Sequence, residues 1–153
     1  TLFRSYIWFA VTDTYRIYQT TFEGDTVRVI DRDLPPVPLG AAARDSISVI
    51  VAQYRENGYQ PVDLDEKTFP EFRPYFENIT VDDKGGVWMW HDSDSVSTTY
   101  EVFDPDGRYL GEVRVPFPIQ RFFNPLIRGD EFFAVTRDEF DVSYLVRGKI
   151  ERD

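Results

Sequence analysis

A strand-and-turn motif that occurs once in full and is echoed twice constrains the fold of this chain more than any other feature. The full copy spans residues 79–113, and partial copies occupy residues 6–30 and 131–146. The partial copies share an identical tetrad, Phe-Ala-Val-Thr, at Phe9–Thr12 and again at Phe133–Thr136. Repeats of this length are typical of stacked β-sheets, each of which buries its faces only against its neighbours. The sequence therefore predicts an all-β fold.

Turn-forming residues separate the repeated apolar segments. Asp82–Gly86 reads Asp-Asp-Lys-Gly-Gly, and Asp104–Gly107 reads Asp-Pro-Asp-Gly. Proline pre-sets φ at the second position of a turn, and glycine accepts positive φ. The predicted strands are 5–11, 15–21, 26–31, 78–81, 87–91, 100–103, 109–115, 132–136 and 141–149, with one more in 124–130. These strands fall into groups of three, four and three, which predicts one four-stranded antiparallel blade between two incomplete ones.

The spacing of the strands favours β-propeller blades over a sandwich or a barrel. Trp88 and Phe132 are 44 residues apart, close to the ~40–50 residues of a four-stranded blade. Trp8 and Trp88 are 80 residues apart, which is about one blade period too long. The longer interval therefore contains an insertion.

A helix is predicted at residues 41–57, inside this longer interval. Apolar side chains recur there with the 3.6-residue period of one helix face, and Asn57-Gly58 supplies a stop signal. These side chains are Ala43, Ile47, Ile50, Val51 and Tyr54. We expect this face to lie on a sheet. The acidic, proline-bearing stretch from 60 to 74 is predicted to be an extended connection.

Composition excludes several classes of function. The chain of 153 residues carries 17 Lys and Arg against 27 Asp and Glu, a net charge of −10. It therefore repels nucleic-acid phosphates and anionic membrane surfaces. The absence of cysteine excludes disulfides, thiolate metal sites and a cysteine nucleophile. No segment approaches the ~20 apolar residues of a membrane span, so we expect neither nucleic acid nor a membrane span.

Four segments resemble the bacterial six-bladed β-propeller proteins related to NHL repeats. They are 69–74, 79–82, 85–88 and 100–108, which read FPEFRP, ITVD, GGVW and YEVFDPDGR. The resemblance covers most of the chain and implies the C-terminal part of a propeller, about two and a half blades. It divides residues 1–153 into blade strands (5–31), a helical insertion and linker (32–74), a full blade (75–115) and a partial last blade (120–150).

The same resemblance implies a location and a set of partners. Proteins of this kind are typically exported, which implies a periplasmic or secreted location. About two and a half blades do not close a ring, because each blade buries its faces only against neighbouring blades. The remaining blades are therefore expected from the rest of a longer chain or from other copies of this one.

On this interpretation, the loops between the second and third strands of each blade lie at one end of the sheets and surround a ligand. The candidate ligand-binding residues are His91, Asp92, Asp94, Asn124, Arg137, Asp138 and Glu139. Asp92 and Asp94 alternate as oxygen ligands of calcium do, although the later Gly and Glu of a calcium loop are absent; no other cofactor is expected. His91 is the only histidine, so this chain offers no multi-histidine zinc site.

A simpler interpretation exists for each of these residues. Asp and Ser side chains favour turns, and His91 is then an ordinary loop residue. Asp82 is expected to bond the amides of its own turn. The three tryptophans, Trp8, Trp88 and Trp90, are expected to pack between blades rather than to stack against sugars.

Three functions stay open because no catalytic signature stands out. The first is a non-catalytic, exported propeller that binds a protein or small molecule or serves as a scaffold. The second is a hydrolase or lactonase-like enzyme with most of its site outside these residues, to which Asn124 and Asp82 contribute. The third is a structural subunit that self-assembles through exposed blades.

Overall fold

The computed structural model describes residues 6–59, 70–93, 96–120 and 122–151, apart from the side chains of Asp92 and Ser93. This part of the chain contains strands separated by turns and one helix, α1 (Ala41–Glu56). The strands are β1 (Ile7–Val11), β2 (Arg16–Thr20), β3 (Thr26–Asp31), β4 (Asn78–Val81), β5 (Val87–Ser93), β6 (Thr98–Phe103), β7 (Tyr109–Val115), β8 (Leu126–Arg128), β9 (Glu131–Arg137) and β10 (Ser143–Lys149).

The strands form three antiparallel sheets in which each strand pairs with the next along the chain. The N-terminal sheet has the order β1-β2-β3, the middle sheet β4-β5-β6-β7, and the C-terminal sheet β8-β9-β10. The predicted grouping into three, four and three strands is confirmed, as are the mostly β fold and the single helix of the described residues. These described sheets do not close into a ring.

The two central strands of the middle sheet, β5 and β6, are buried on both faces, which the other two sheets cover. Successive side chains of a strand point to opposite faces. Val87 and Met89 of β5 accordingly join a core cluster with Ile17 and Ile30 of the N-terminal sheet. Trp88 and Trp90, in alternate positions of the same strand, join a second cluster with Ile127, Phe132 and Ala134 of the C-terminal sheet. The predicted packing role of Trp88 and Trp90 is confirmed, since each is 2% exposed.

The identical tetrads are not equivalent in this stack. Trp8 packs toward the middle sheet, as Trp88 packs toward the C-terminal sheet. Phe9, the next residue, lies on the outward face of the N-terminal sheet, 45% exposed and stacked on Tyr18. Phe133 also faces away from the middle sheet, where its ring lies under the Arg147 guanidinium. Phe133 rather than Phe132 is therefore the counterpart of Trp88, and the tetrad match is one position out of register with the structural repeat.

The apolar face of α1 is only partly covered, contrary to the expectation that it lies on a sheet. Val51 is the one buried residue of α1, whereas Ile50 and Tyr54 are about half exposed. The Tyr54 ring instead packs edge-on against Tyr59, just beyond the helix. The 3.6-residue pattern identified the helix correctly, but it carries no information on what covers the apolar face.

The helical excursion is closed at its base by a short antiparallel pairing. Pro38 and Phe72 form a β-bridge. The Leu39 amide donates to the Glu71 carbonyl and the Arg73 amide to the Val37 carbonyl, both at 2.8 Å. Most of the connection predicted at 60–74 lies outside the described residues. No helix in the described part is long and apolar enough to cross a lipid bilayer.

The turn between β4 and β5 is held by one carboxylate, as predicted for Asp82. Its Oδ1 accepts from the amides of Lys84 (2.9 Å) and Gly86 (2.7 Å), and its Oδ2 accepts from Trp88 Nε1 (3.1 Å). A Cβ at Gly86 would lie 2.6 Å from Asp82 Oδ2 and 3.1 Å from the Phe103 carbonyl. Only glycine therefore allows the carboxylate to approach so closely.

Replacing Asp82 with Ala is expected to lower the free energy of unfolding by about 2 kcal/mol, because two amides and the Trp88 indole lose their acceptor. Urea unfolding followed by tryptophan fluorescence measures the change. Asp106→Ala is the matched control, since Asp106 lies exposed in the β6–β7 turn, and it should change stability little. Equal effects in the two variants would contradict the role assigned to Asp82.

Candidate functional site

One segment from each of the three sheets lies at the same end of the stack, here called the loop end. The start of β4 pairs with the end of β5, since Asn78 lies opposite Trp90. The Tyr75 amide donates to the Thr12 carbonyl (3.0 Å), which places the β1–β2 turn beside the start of β4. The segment before β8 reaches the same place, because Asn124 bonds to Asn78. Segments from all three sheets thus border the loop end.

A cleft of ≈ 360 Å³ opens at the loop end. Its wall includes Thr12, Phe76, Glu77, Asn78, Trp90 and Phe122. Phe76 and Trp90 are each 2% exposed and form buried parts of the wall, whereas Phe122 is 95% exposed. No Lys or Arg of the described residues lines the cleft. The described part of the cleft wall therefore combines aromatic, amide, hydroxyl and carboxylate groups without a cationic one.

Asn124 is the predicted site residue that the structure connects to this cleft. Asn78 Nδ2 donates to Asn124 Oδ1 (2.5 Å), and Asn78 Oδ1 accepts from the Ile79 amide (2.8 Å). The pair joins the middle and C-terminal sheets at the cleft wall. Both amide side chains are oriented by these contacts, so Asn124 helps to hold Asn78 in place.

Two buried polar atoms lie in the row of side chains that runs from this amide pair across the middle sheet. Trp90 pairs with Asn78 on one side and with Tyr100 on the other. Among the described residues, neither Trp90 Nε1 nor the Tyr100 hydroxyl has a hydrogen-bond partner. Burial raises the pKa of Tyr100 well above its usual value, so the hydroxyl keeps its proton. The row therefore holds two buried donors.

His91, predicted as the last residue of strand 87–91 and the first residue of the loop that follows, lies within β5. The pairing of β5 with β6 shifts between Trp90 and Asp92, which leaves His91 unpaired in a β-bulge. A bulge changes the direction of a side chain relative to the regular strand, and His91 is exposed. The predicted strand 87–91 ended at His91, whereas β5 continues to Ser93.

The proposed calcium ligands fall where the structure gives no side-chain positions. Asp94 lies outside the described residues, and so does the side chain of Asp92. Within the described part of the chain, no group of three or more His, Cys, Asp or Glu residues is placed to hold a metal ion. The calcium site at Asp92 and Asp94 stays a prediction from the sequence.

Arg137, Asp138 and Glu139 belong to the tight turn between β9 and β10. Asp138 Oδ1 accepts from the amides of Phe140 (2.9 Å) and Val142 (3.0 Å). Arg137 forms an exposed ion pair with Asp141 (2.5 Å), and Glu139 is exposed. Among the described residues, no hydrogen bond or ion pair connects this turn with His91 or Asn124. The simpler interpretation holds for Asp138, whose carboxylate forms its own turn.

Glu101, the most heavily buried charged residue in the described part of the chain, was not identified from the sequence. It lies on β6 with its side chain 5% exposed and accepts from Arg32 Nη1 (2.6 Å) and from the Tyr15 hydroxyl. The Arg32 guanidinium lies over the rings of Tyr15 (5.2 Å) and Tyr109 (4.4 Å). This cluster of Tyr15, Arg32, Glu101 and Tyr109, the interlock cluster, joins the N-terminal sheet to the middle sheet.

In the interlock cluster, Glu101 and Arg32 are paired with each other, and the Tyr15 hydroxyl is bonded to the same carboxylate. Burial, followed by the hydrogen bond to Glu101, raises the pKa of Tyr15 far above its usual value. The hydroxyl therefore stays protonated and donates to the carboxylate. No sequence signal marked Glu101, because a Glu between the apolar residues Tyr100 and Val102 fits the alternation of a half-buried strand, in which it would face solvent.

A second cleft, of ≈ 500 Å³, lies beside the interlock cluster and does not provide an anion site. Its two cationic residues are both paired. Arg16 Nε donates to Asp31 (2.8 Å), and Arg32 is bonded to Glu101. Because a carboxylate compensates the charge of each guanidinium, and Asp13 and Asp33 also line the cleft, its described wall has no excess of positive charge for an anionic ligand. The loop-end cleft is therefore the better candidate site.

The described residues form a stack of antiparallel sheets with a cleft at one end, and the one ionisable residue of the described cleft wall is acidic. Comparison with protein-family models, with curated proteins and with solved structures gives no match. The resemblance to NHL-related propellers therefore rests on the sequence segments and on the sheet architecture alone.

Proposed function

We propose that this chain is part of a β-propeller that acts outside the cytoplasm as a non-catalytic binding or scaffold module. The observation that carries the binding role is the loop-end cleft, which segments from all three sheets border. Ligand sites are typically concave, largely pre-formed and lined by aromatic side chains with a few polar groups. The location is supported by the family resemblance only.

The propeller architecture is supported by the outward faces of the outer sheets. In the middle sheet, Met89 faces the N-terminal sheet and is fully buried. The corresponding outward face of the N-terminal sheet leaves Phe9, Val27 and Val29 each between 44% and 47% exposed. The C-terminal sheet likewise leaves Leu145 68% exposed. We propose that further sheets of the same kind cover both faces, from the rest of a longer chain or from other copies.

The non-catalytic part of the proposal is supported by how the candidate side chains are used. Asp82 and Asp138 hold their own turns, Glu101 is paired with Arg32, and Asn124 bonds Asn78. Acid–base catalysis needs two groups positioned around a substrate, and these four serve structural contacts instead.

Residues 1–153 are expected to self-associate through the open faces, because apolar sheet faces of this kind are aggregation surfaces. Sedimentation velocity over roughly 5 to 100 µM should show an average mass that rises with concentration above 17.9 kDa. Val29→Lys combined with Leu145→Lys should shift the mass back toward the monomer.

The matched control is Val49→Lys, which puts the same charge on the exposed side of α1, where Val49 is 57% exposed. It should leave the association unchanged. A monomer at every concentration, or equal effects of the control and the double variant, would contradict the coverage of these faces by sheets.

Turnover assays separate the module from an enzyme. Lactone and ester substrates with calcium or magnesium should be hydrolysed no faster than in buffer alone. Divalent-dependent turnover that Asn124→Ala abolishes would replace this proposal with a hydrolase or lactonase-like function.

A further inference from the structure

We propose that the loop-end cleft binds a neutral, polyhydroxylated ligand, namely a saccharide. This inference deepens the proposed binding function and rests on it. Four properties of the cleft support it: its size, a buried donor without an acceptor, its charge and its exposed aromatic ring.

The size of the cleft fits a small ring-shaped ligand. A volume of ≈ 360 Å³ lies at the lower end of the ~300–1,000 Å³ typical of small-molecule sites. The cleft is bounded by the start of β4, the end of β5 and the segments before β2 and β8. Its wall is thus formed by regular strands and hydrogen-bonded segments, which hold its shape.

One buried donor in the cleft wall lacks an acceptor. Trp90 contributes to the wall, and its buried Nε1 has no partner among the described residues. Buried N–H groups are almost always satisfied by protein, water or ligand. The Tyr100 hydroxyl, on the residue that pairs with Trp90 across the middle sheet, also lacks a hydrogen-bond partner among the described residues. An acceptor from outside the chain is therefore expected, either directly on Trp90 Nε1 or through a bridging water.

The charge of the cleft excludes an anionic ligand, and its buried hydrogen-bond donor disfavours a cationic ligand. Glu77 is the ionisable residue of the described wall, and the whole chain carries a net charge of −10. A carboxylate or phosphate ligand would meet repulsion from the net negative charge, and no described residue of the wall is cationic. A protonated amine would suit Glu77 and the aromatic rings, but it has no lone pair to accept from Trp90 Nε1. A hydroxyl both accepts from an N–H and donates to a carboxylate.

Phe122 supplies the aromatic platform. At 95% exposure it is the most exposed large apolar side chain of the described residues. One face of a sugar ring carries C–H groups, which pack on an aromatic ring while the hydroxyls around the ring edge form hydrogen bonds. Phe122 with Asn78 and Trp90 offers both kinds of contact in one cleft.

The test is calorimetric titration of the 1–153 chain, with tryptophan fluorescence as a second readout. The probes are neutral gluco-, galacto-, manno- and xylo-oligosaccharides of one to four units, with choline and glucose 6-phosphate as charged comparisons. At least one neutral saccharide should bind with a dissociation constant below about 10 mM, and the two charged probes should not. Phe122→Ala should weaken binding about tenfold or more without changing the melting temperature, whereas Phe122→Tyr should retain it.

The matched control is Phe22→Ala, which removes another exposed ring, 69% exposed, from the β2–β3 turn; it should leave binding unchanged. Absence of binding by every neutral saccharide, preference for choline, or equal affinity of Phe122→Ala would each overturn the inference. If no saccharide binds but the chain still self-associates, only the assignment of the ligand class is overturned. Release of shorter sugars during the titration would keep the cleft as a saccharide site and overturn its non-catalytic role.

Discussion

Replacing Glu101 with Ala is expected to lower the free energy of unfolding by about 3 to 5 kcal/mol, because it leaves Arg32 in a partly buried position without its counter-charge. The Tyr15 hydroxyl loses its acceptor in the same step. Tyr15 lies just before β2 and Arg32 just after β3, so the N-terminal sheet should loosen from the middle sheet. Urea unfolding followed by fluorescence and circular dichroism measures the loss, and the melting temperature should fall by about 10 °C.

Glu112→Ala is the matched control for this variant. Glu112 lies directly opposite Glu101 on β7 but is exposed, so its removal should change stability by less than about 0.5 kcal/mol. A third variant, Glu101→Leu with Arg32→Leu, removes both charges and should recover part of the loss, since apolar pairs often replace buried ion pairs. A Glu101→Ala variant as stable as Glu112→Ala would contradict the interlock role.

Replacing Trp88 with Ala is expected to cost about 3 to 5 kcal/mol, the range for truncating a large buried aromatic side chain. Trp88 lies between the middle and C-terminal sheets. Its ring centroid is 6.2 Å from that of Tyr100 and 6.5 Å from that of Phe132. The variant also leaves Asp82 Oδ2 without its indole donor. Equilibrium unfolding in urea measures the cost, and hydrogen exchange should show the largest loss of protection in β8 and β9.

Phe22→Ala provides the comparison for Trp88→Ala, because it removes an aromatic ring that is exposed on a turn. It should leave the unfolding free energy nearly unchanged. Loss of protection in the N-terminal sheet rather than in the C-terminal sheet would contradict the assignment of Trp88 to the second core cluster.

The positions of the strands and the helix were predictable because their signals are local. The bounds predicted for β3, β4 and β7 agree with the structure, and the helix predicted at 41–57 is observed at Ala41–Glu56. Alternating apolar residues and turn residues such as those of Asp82–Gly86 act over a few positions, so one sequence contains them in full. The role of Asp82 followed from the same turn chemistry.

The candidate site was predictable only in its general position. Turns and segments with polar residues were expected at one end of the sheets, and the cleft lies at that end. Asn124 is connected to it through Asn78, but Arg137 and Asp138 form their own turn, and His91 sits in a bulge that no local pattern indicates. The cleft residues Phe76 and Phe122 gave no distinguishing signal, because an aromatic residue beside a strand is ordinary in a chain of this composition.

By itself, the sequence determined the kind of element at each position, the grouping of the strands and the acidity that disfavours anionic ligands. Tertiary structure alone decided which face of each strand is covered, so Phe132 rather than Phe133 became core. It also decided that Glu101 meets Arg32, 69 positions away, and that Asn78 meets Asn124. Alternation and turn chemistry operate between near neighbours, whereas these contacts depend on how whole sheets stack, which local patterns leave unspecified.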